Sequence, residues 1–103
     1  MNLSELGRFS EPGMLVLVSL AAGPKHGYAI QEDIAEFTGD RPGPGTLYGA
    51  IGRLESRGLI EALTPVERRK PYQLTDAGRA ALRAELERAR AVARLGLRRL
   101  AVA

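Results

Sequence analysis

The sequence has no cysteine, no tryptophan, a single histidine and only five aromatic residues among its 103 positions. Without cysteine there is no disulfide framework and no thiolate metal site. The one histidine, His26, has no visible nucleophile or paired acid, and reads as the end of a loop before a helix. Glu32, Asp33 and Glu36 therefore read as a solvated helix face rather than a metal or acid/base cluster. The glycine-rich Pro42 to Gly45 lacks the lysine and hydroxyl of a phosphate-cradling loop. No enzyme, no metal and no cofactor are expected from this inventory. The longest apolar run, Met14 to Val18 continued by Leu20 to Ala22, is too short to span a bilayer, and no charged-then-apolar leader opens the chain. A soluble cytoplasmic protein with no membrane partner is the expectation.

Charge of one sign is scarce where it would be simplest to interpret. The net charge is +3, but residues 1–74 hold eight lysines and arginines against nine acids, whereas residues 75–103 hold seven arginines against three acids. The first part is thus at −1 and the second at +4. Any affinity of the first part for phosphates must come from focused charge at Arg41, Arg53, Arg57 and Arg68 to Lys70, with the acids Glu32, Asp33 and Glu36 turned away.

What the sequence does have is a well-punctuated stretch from Pro42 to Leu74. Leu47, Ile51, Leu54 and Gly58 recur at helical spacing, with Thr46, Gly49, Ala50, Arg53 and Arg57 on other faces. Pro44 suits the first helical position and Gly58 a left-handed cap after the last. Gly45, Thr46, Gly49 and Ala50 keep the outward surface near the helix start slim. That shape suits a major groove about 12 Å wide, with N-terminal N–H groups left free for a phosphate. Tyr48 adds a hydroxyl and a flat ring. A glycine-spotted surface helix with Tyr48 half-buried is the alternative. After the helix, Leu59 to Thr64 reads as a strand, Pro65 to Pro71 as a polar turn, and Tyr72 to Leu74 as a returning strand. A helix followed by a hairpin with a basic tip is a winged helix, and Arg68, Arg69 and Lys70 are then placed to reach phosphates or a minor groove. An ordinary solvated turn is the competing reading.

Several motifs in order carry a family resemblance: His26-Gly27-Tyr28, Gly45-Thr46-Leu47-Tyr48, Leu54-Glu55-Ser56-Arg57-Gly58-Leu59-Ile60, and Tyr72-Gln73-Leu74-Thr75-Asp76-Ala77-Gly78. Through them the chain resembles the PadR family of bacterial transcriptional regulators over roughly Met14 to Leu86. The resemblance implies a winged-helix DNA-binding head, a C-terminal dimerisation helix, repression of an adjacent operon and, in some members, release by an apolar compound held between the dimer helices. Gly43 departs from the family, which often has serine at that cap; the exchange costs only a few tenths of a kcal/mol.

The rest of the chain fits around that unit. Leu3, Leu6 and Phe9 recur at i, i+3, i+6, and Ser10 is a cap for a helix running from Pro12 to Ala22, stopped by Gly23-Pro24. Leu15, Val16, Leu17, Val18 and Leu20 leave this helix no polar face, so it needs cover from the head on one side and from a partner subunit on another. A strand is the alternative. A second helix from about Gly27 to Phe37 should bury Ile30, Ile34 and Phe37 and expose Gln31, Glu32, Asp33 and Glu36. From the Thr75 cap one long helix extends to about Leu100. Leu82, Leu86, Ala89, Ala93, Leu97 and Leu100 step along it at spacings close to a coiled-coil seam. Arg83/Glu87, Glu85/Arg88 and Glu87/Arg90 are expected intrahelical pairs. Packing of this helix back on its own head as a monomer is the alternative to a dimer.

The expected fold is mainly α, within the α+β class: a winged helix-turn-helix over residues 1–74, with a two-stranded wing, and a dimerisation helix over residues 75–103. The expected partners are double-stranded DNA, a second copy and, by resemblance only, a small apolar effector. Thr46, Tyr48, Gly49, Arg53, Arg68, Arg69 and Lys70 are the DNA-contact candidates. Leu15, Val18, Leu82, Leu86, Ala89, Ala93, Leu97 and Leu100 are the dimer candidates, and Leu17, Val18, Leu86, Ala93 and Leu97 those for an effector pocket. A winged helix serving as a protein-interaction module, with the arginine-rich last helix as docking surface, is the second function class.

Overall fold

The computed structural model describes residues 11–102. The expected turn through Leu3, Leu6 and Phe9 and the Ser10 cap lie outside the described residues. Seven elements follow in order: α1 (Glu11–Ala21), β1 (Lys25–His26), α2 (Gly27–Thr38), α3 (Pro44–Ser56), β2 (Ile60–Ala62), β3 (Pro71–Leu74) and α4 (Asp76–Val102). The helix boundaries fall where backbone chemistry puts them. Gly39 takes a left-handed φ of 85° and closes α2 by donating its N–H to the Ala35 carbonyl. Pro44 opens α3. At the other end Gly58, at φ 73°, donates to the Glu55 carbonyl and Leu59 N–H reaches back to the Leu54 carbonyl, the paired bonds of a Schellman turn. Thr75 caps α4, its Oγ1 accepting the Gly78 N–H at 3.0 Å.

α1 is the centre of the head. Val16, Leu17 and Leu20 are fully or almost fully buried against Ile30 and Ile34 of α2, Leu47, Ile51 and Leu54 of α3, and Ile60, Tyr72, Leu74 and Leu82. The chain itself therefore covers more of α1 than expected, leaving Met14, Leu15 and Val18 half-buried at its edge. Ser19 is a polar side chain sealed completely in this core. Ser19 donates its hydroxyl to Asp33 Oδ2 at 2.7 Å, and Lys25 Nζ caps the end of α1 by donating to the Ser19 carbonyl at 2.6 Å. Asp33, expected on a solvated face, instead joins α2 to α1. Phe37, expected in the core, is 45% exposed. The last turn of α2 overhangs the core, so Phe37 keeps its helical register with Ile34 but has little to pack against.

The wing is part of a three-stranded antiparallel sheet, not a separate pair. Its order is β1-β3-β2, with Lys25 opposite Tyr72 and His26 opposite Pro71 on one side of β3, and Ala62 opposite Tyr72 on the other. β1 is two residues long, too short to display any alternation, and the sequence offered no sign of it. Its pairing ties the start of α2 to the wing.

α4 has two parts. Gly78, Leu82 and Glu85 face the head and are buried, whereas every residue from Leu86 to Val102 is exposed. Leu82, expected in a dimer seam, belongs to the head's own core at 5% exposure. Leu17, expected to line an effector pocket, is likewise sealed inside at 0%. The remaining pocket candidates are not gathered within one chain: only Leu86 borders the depression of about 370 Å³ between the end of α1 and α4. Glu85 pairs with Arg88 at 3.4 Å and Glu87 with Arg90, so Glu87 takes Arg90 rather than Arg83.

Candidate nucleic-acid interface

α3 presents one buried and one open face. Leu47, Ala50, Ile51 and Leu54 are buried, in steps of three and four, and they anchor the helix to α1. Ala50, expected on the outward face, is in the core at 1% exposure. It sits three residues after Leu47 and three before Arg53, inside the stripe. The outward face is therefore Gly45, Thr46, Tyr48, Gly52, Arg53, Ser56 and Arg57, flanked by the exposed acid Glu55, with Gly49 half-buried beneath the Arg53 guanidinium. Gly43 stands at the cap with no side-chain hydrogen bond, so the first N–H groups of α3 have no side-chain acceptor there. The turn before α3 is fixed by Gln31, whose Nε2 donates to the Pro42 carbonyl at 2.7 Å, and by an exposed ion pair between Arg41 and Glu32. That pair partly neutralises Arg41, one of the expected phosphate cations.

The wing ends in a tight hairpin. Val66 N–H donates to the Arg69 carbonyl at 2.8 Å and Arg69 N–H to the Val66 carbonyl at 2.9 Å. Glu67 and Arg68 between them have positive φ, 50° and 69°, as a type I′ turn requires. Arg68 stands at the tip. Arg69 folds back over the sheet: its guanidinium lies 6.0 Å from the centre of the Tyr28 ring, and its Nη1 is 3.2 Å from His26 Nε2. Lys70 lies over the ring of Tyr72, 5.5 Å from its centre.

These side chains enclose a cleft of about 380 Å³ between the wing, the start of α2 and the first turn of α3. Tyr48 reaches it by lying across Gly27, where a Cβ would come within 2.3 Å of the Tyr48 hydroxyl. Of the expected contact residues, the structure brings Tyr48, Arg68, Arg69 and Lys70 together here; Thr46, Gly49 and Arg53 lie along α3 itself. His26, Gly27 and Tyr28 complete the cleft and were not among the expected contacts. The sequence offered them only as a motif, because their meeting with Arg69 depends on β1 pairing with β3. The lining side chains are cations, hydroxyls and one imidazole, with no acid among them. Such a surface receives an anion.

Residues 16–84 match the profile of the transcriptional regulator PadR-like family. The chain is 49% identical, over 78 residues, to an uncharacterized 37.1 kDa protein in transposon Tn4556 of Streptomyces fradiae. That match covers 76% of this chain and 23% of the relative, so the chain spans about a quarter of that protein's length. Among solved structures, a transcriptional regulator from Clostridium thermocellum superposes with a TM-score of 0.76 at 27% identity, covering 84% of this chain and 87% of that one. Bacillus subtilis PadR, solved in complex with operator DNA, superposes with a TM-score of 0.66 at 26% identity, covering 72% of this chain and 45% of that one. On the matched profile and the shared winged-helix architecture, the chain belongs to the PadR-like family of transcriptional regulators.

Proposed function

We propose that the protein is a homodimeric DNA-binding repressor of the cytoplasm that reads a pseudo-palindromic operator. The observation that carries this reading is the cation- and hydroxyl-lined cleft joining α3 to the wing, set beside a slim, glycine-rich outward helix face. The operator complex of the Bacillus subtilis relative supports the same partner for this chain. In this reading Thr46, Tyr48, Gly49 and Arg53 meet the groove or its backbone, and Arg68, Arg69 and Lys70 meet phosphates beside it. The head, residues 1–74, carries recognition, and the helix 75–103 joins the two copies.

The second copy is supported by the far half of α4. Leu86, Leu97 and Leu100, with Ala89 and Ala93 between them, share one face of α4 and the three leucines are 45 to 75% exposed, on a helix that extends the molecule to 55 Å in its long dimension. A stripe of this kind costs solubility unless it is covered, and seven arginines from residue 75 onward keep other faces charged. Leu15 and Val18, half-buried on α1, are the candidates for a contact between the two heads. A two-fold pair would place two α3 helices against half-sites one helical turn apart or a multiple of it, about 10 bp per turn. The place for a small apolar effector is the seam between copies, near Leu86, and saturable binding of an apolar dye by the dimer tests it.

The test of the whole reading is selection of bound sequences from a random duplex pool, followed by affinity for the winner across a salt series. The expected result is a two-fold-symmetric motif with steep salt dependence. No enrichment and no salt-dependent affinity would overturn it in favour of a protein-interaction module.

A further inference from the structure

His26 and Arg69 stand 43 residues apart in the chain and 3.2 Å apart in space, Nε2 facing Nη1. They cannot satisfy one another. His26 Nδ1 accepts the Ala29 N–H at 3.2 Å, which makes His26 the cap of α2. A neutral imidazole has one acceptor nitrogen, so this cap fixes the ring proton on Nε2, and a guanidinium has donors only. Two donors therefore stand in contact at the cleft with no acceptor of their own. The arrangement is held from both sides, since Arg69 lies over the Tyr28 ring and His26 is fixed by its cap and by pairing opposite Pro71. The Tyr48 hydroxyl and Lys70 stand on the same cleft, and no carboxylate lines it.

Two donors in contact at 3.2 Å take, beside them on the cleft side rather than between them, an atom that only accepts. Accept-only atoms on base edges, such as guanine O6 and N7, lie on the groove floor that α3 would face, whereas the pair stands at the junction of wing and α2, where the non-bridging oxygens of the backbone are the acceptors within reach. We infer that His26 and Arg69 together seat one non-bridging oxygen of a DNA backbone phosphate on the cleft side of the pair, with Nε2–H and the guanidinium as its donors. The inference rests on the DNA-binding reading above and makes a part of that contact specific. The seat lies at the junction of wing, α2 and α3, so one phosphate held there sets the distance of α3 from the groove floor. It fixes register on the duplex without reading sequence.

His26 is the only histidine of the chain, so its ring resonances in the tag-free full-length protein report on this site alone. A saturating operator duplex should shift the Nε2–H signal and slow its exchange. Replacing single phosphates by methylphosphonates along the duplex should abolish that shift at one backbone position per half-site and weaken binding there about ten-fold, as the loss of a charge-assisted hydrogen bond does. His26→Asn keeps an oxygen to cap Ala29 but lacks the reach of Nε2. It should weaken binding to specific and random duplexes alike and become indifferent to that methylphosphonate. Arg69→Gln, on the exposed wing, should do the same, and the double variant should lose little more. Ring signals unmoved by a bound duplex, or variants that bind it as tightly as the parent, would overturn the seat while leaving DNA binding in place. Inorganic phosphate shifting the ring fully while duplex does not would overturn the DNA assignment of the seat. Absence of any duplex affinity in the parent protein would overturn both.

Discussion

Tyr48 lies across Gly27 so closely that a Cβ on Gly27 would come within 2.3 Å of the phenol oxygen and 2.6 Å of the ring. This contact fixes the position of a side chain that is otherwise 52% exposed on the outward face of α3. Gly27→Ala should therefore move Tyr48 out of the cleft at little cost to the fold, because the displaced group is the far end of an exposed side chain. The expected result is a stability change under about 1 kcal/mol with DNA affinity lowered about ten-fold. Tyr48→Ala should lower affinity by a similar amount, and the two changes together by no more than either alone. Full affinity in Gly27→Ala would remove Tyr48 from the set of fixed DNA contacts.

The wing tip holds strain where it holds charge. Glu67 and Arg68 adopt left-handed φ values without being glycine, at a cost of roughly 1 kcal/mol each. Asn-Gly is the pair that a turn of this kind favours. Substituting Glu67→Asn and Arg68→Gly should raise stability by roughly 1–2 kcal/mol. It should also weaken binding to all duplexes and reduce the salt slope by roughly 0.9, the share of one phosphate contact. Denaturant unfolding and a salt titration of the same variant read both effects. A variant more stable and equally tight would mean that Arg68 touches no phosphate.

Much of this was legible in the sequence because caps are local. Pro44, Gly58 and Thr75 each solve a problem of their own backbone, and they place both ends of α3 and the start of α4 close to where residue types alone put them. The apolar stripe of α3 was legible for the same reason, although a four-residue step from Leu47 to Ile51 hid Ala50 between them. What escaped was set by tertiary pairing. β1 has two residues and acquires its meaning from Pro71 and Tyr72 across the sheet. His26, Tyr28 and Asp33 owe their roles to Arg69 and Ser19, each distant in sequence. Leu82 falls on the same heptad-like ladder as Leu86 and Leu97, and only the packing of α4's first turns on the head separates core from exposed stripe.

That packing depends on Gly78. A Cβ there would stand 1.8 Å from the Leu59 carbonyl oxygen, which itself accepts the Thr75 N–H at 3.1 Å. Both sides of this approach are backbone, so neither can swing away. Gly78→Ala should destabilise the protein by roughly 3 kcal/mol or more. Gly52, in the middle of α3, meets nothing within 4 Å, and Gly52→Ala should stabilise by up to about 1 kcal/mol through helix propensity. Opposite signs for the same chemical change, measured by denaturant unfolding, would establish that close approach rather than glycine content decides the fold here. Equal effects would refute it.

The exposed half of α4 separates association from folding. Leu97 and Leu100 are 69% and 75% exposed and lie far beyond Leu82, the last apolar residue of α4 that the head buries. Glutamate at both positions should leave the core untouched, so the full-length variant should still unfold cooperatively, within about 1 kcal/mol of the dissociated parent. In a dimer each charge would meet apolar partners from the other copy, where burial without a counterion is strongly unfavourable. Sedimentation should then show the parent as a dimer and the Leu97→Glu/Leu100→Glu variant as a monomer. The variant should also bind a single half-site almost as well as the parent but lose the gain from linking two, which for covalently or tightly joined sites reaches 10² or more. A variant that remains dimeric would place the interface on the open edge of α1 instead, at Leu15 and Val18.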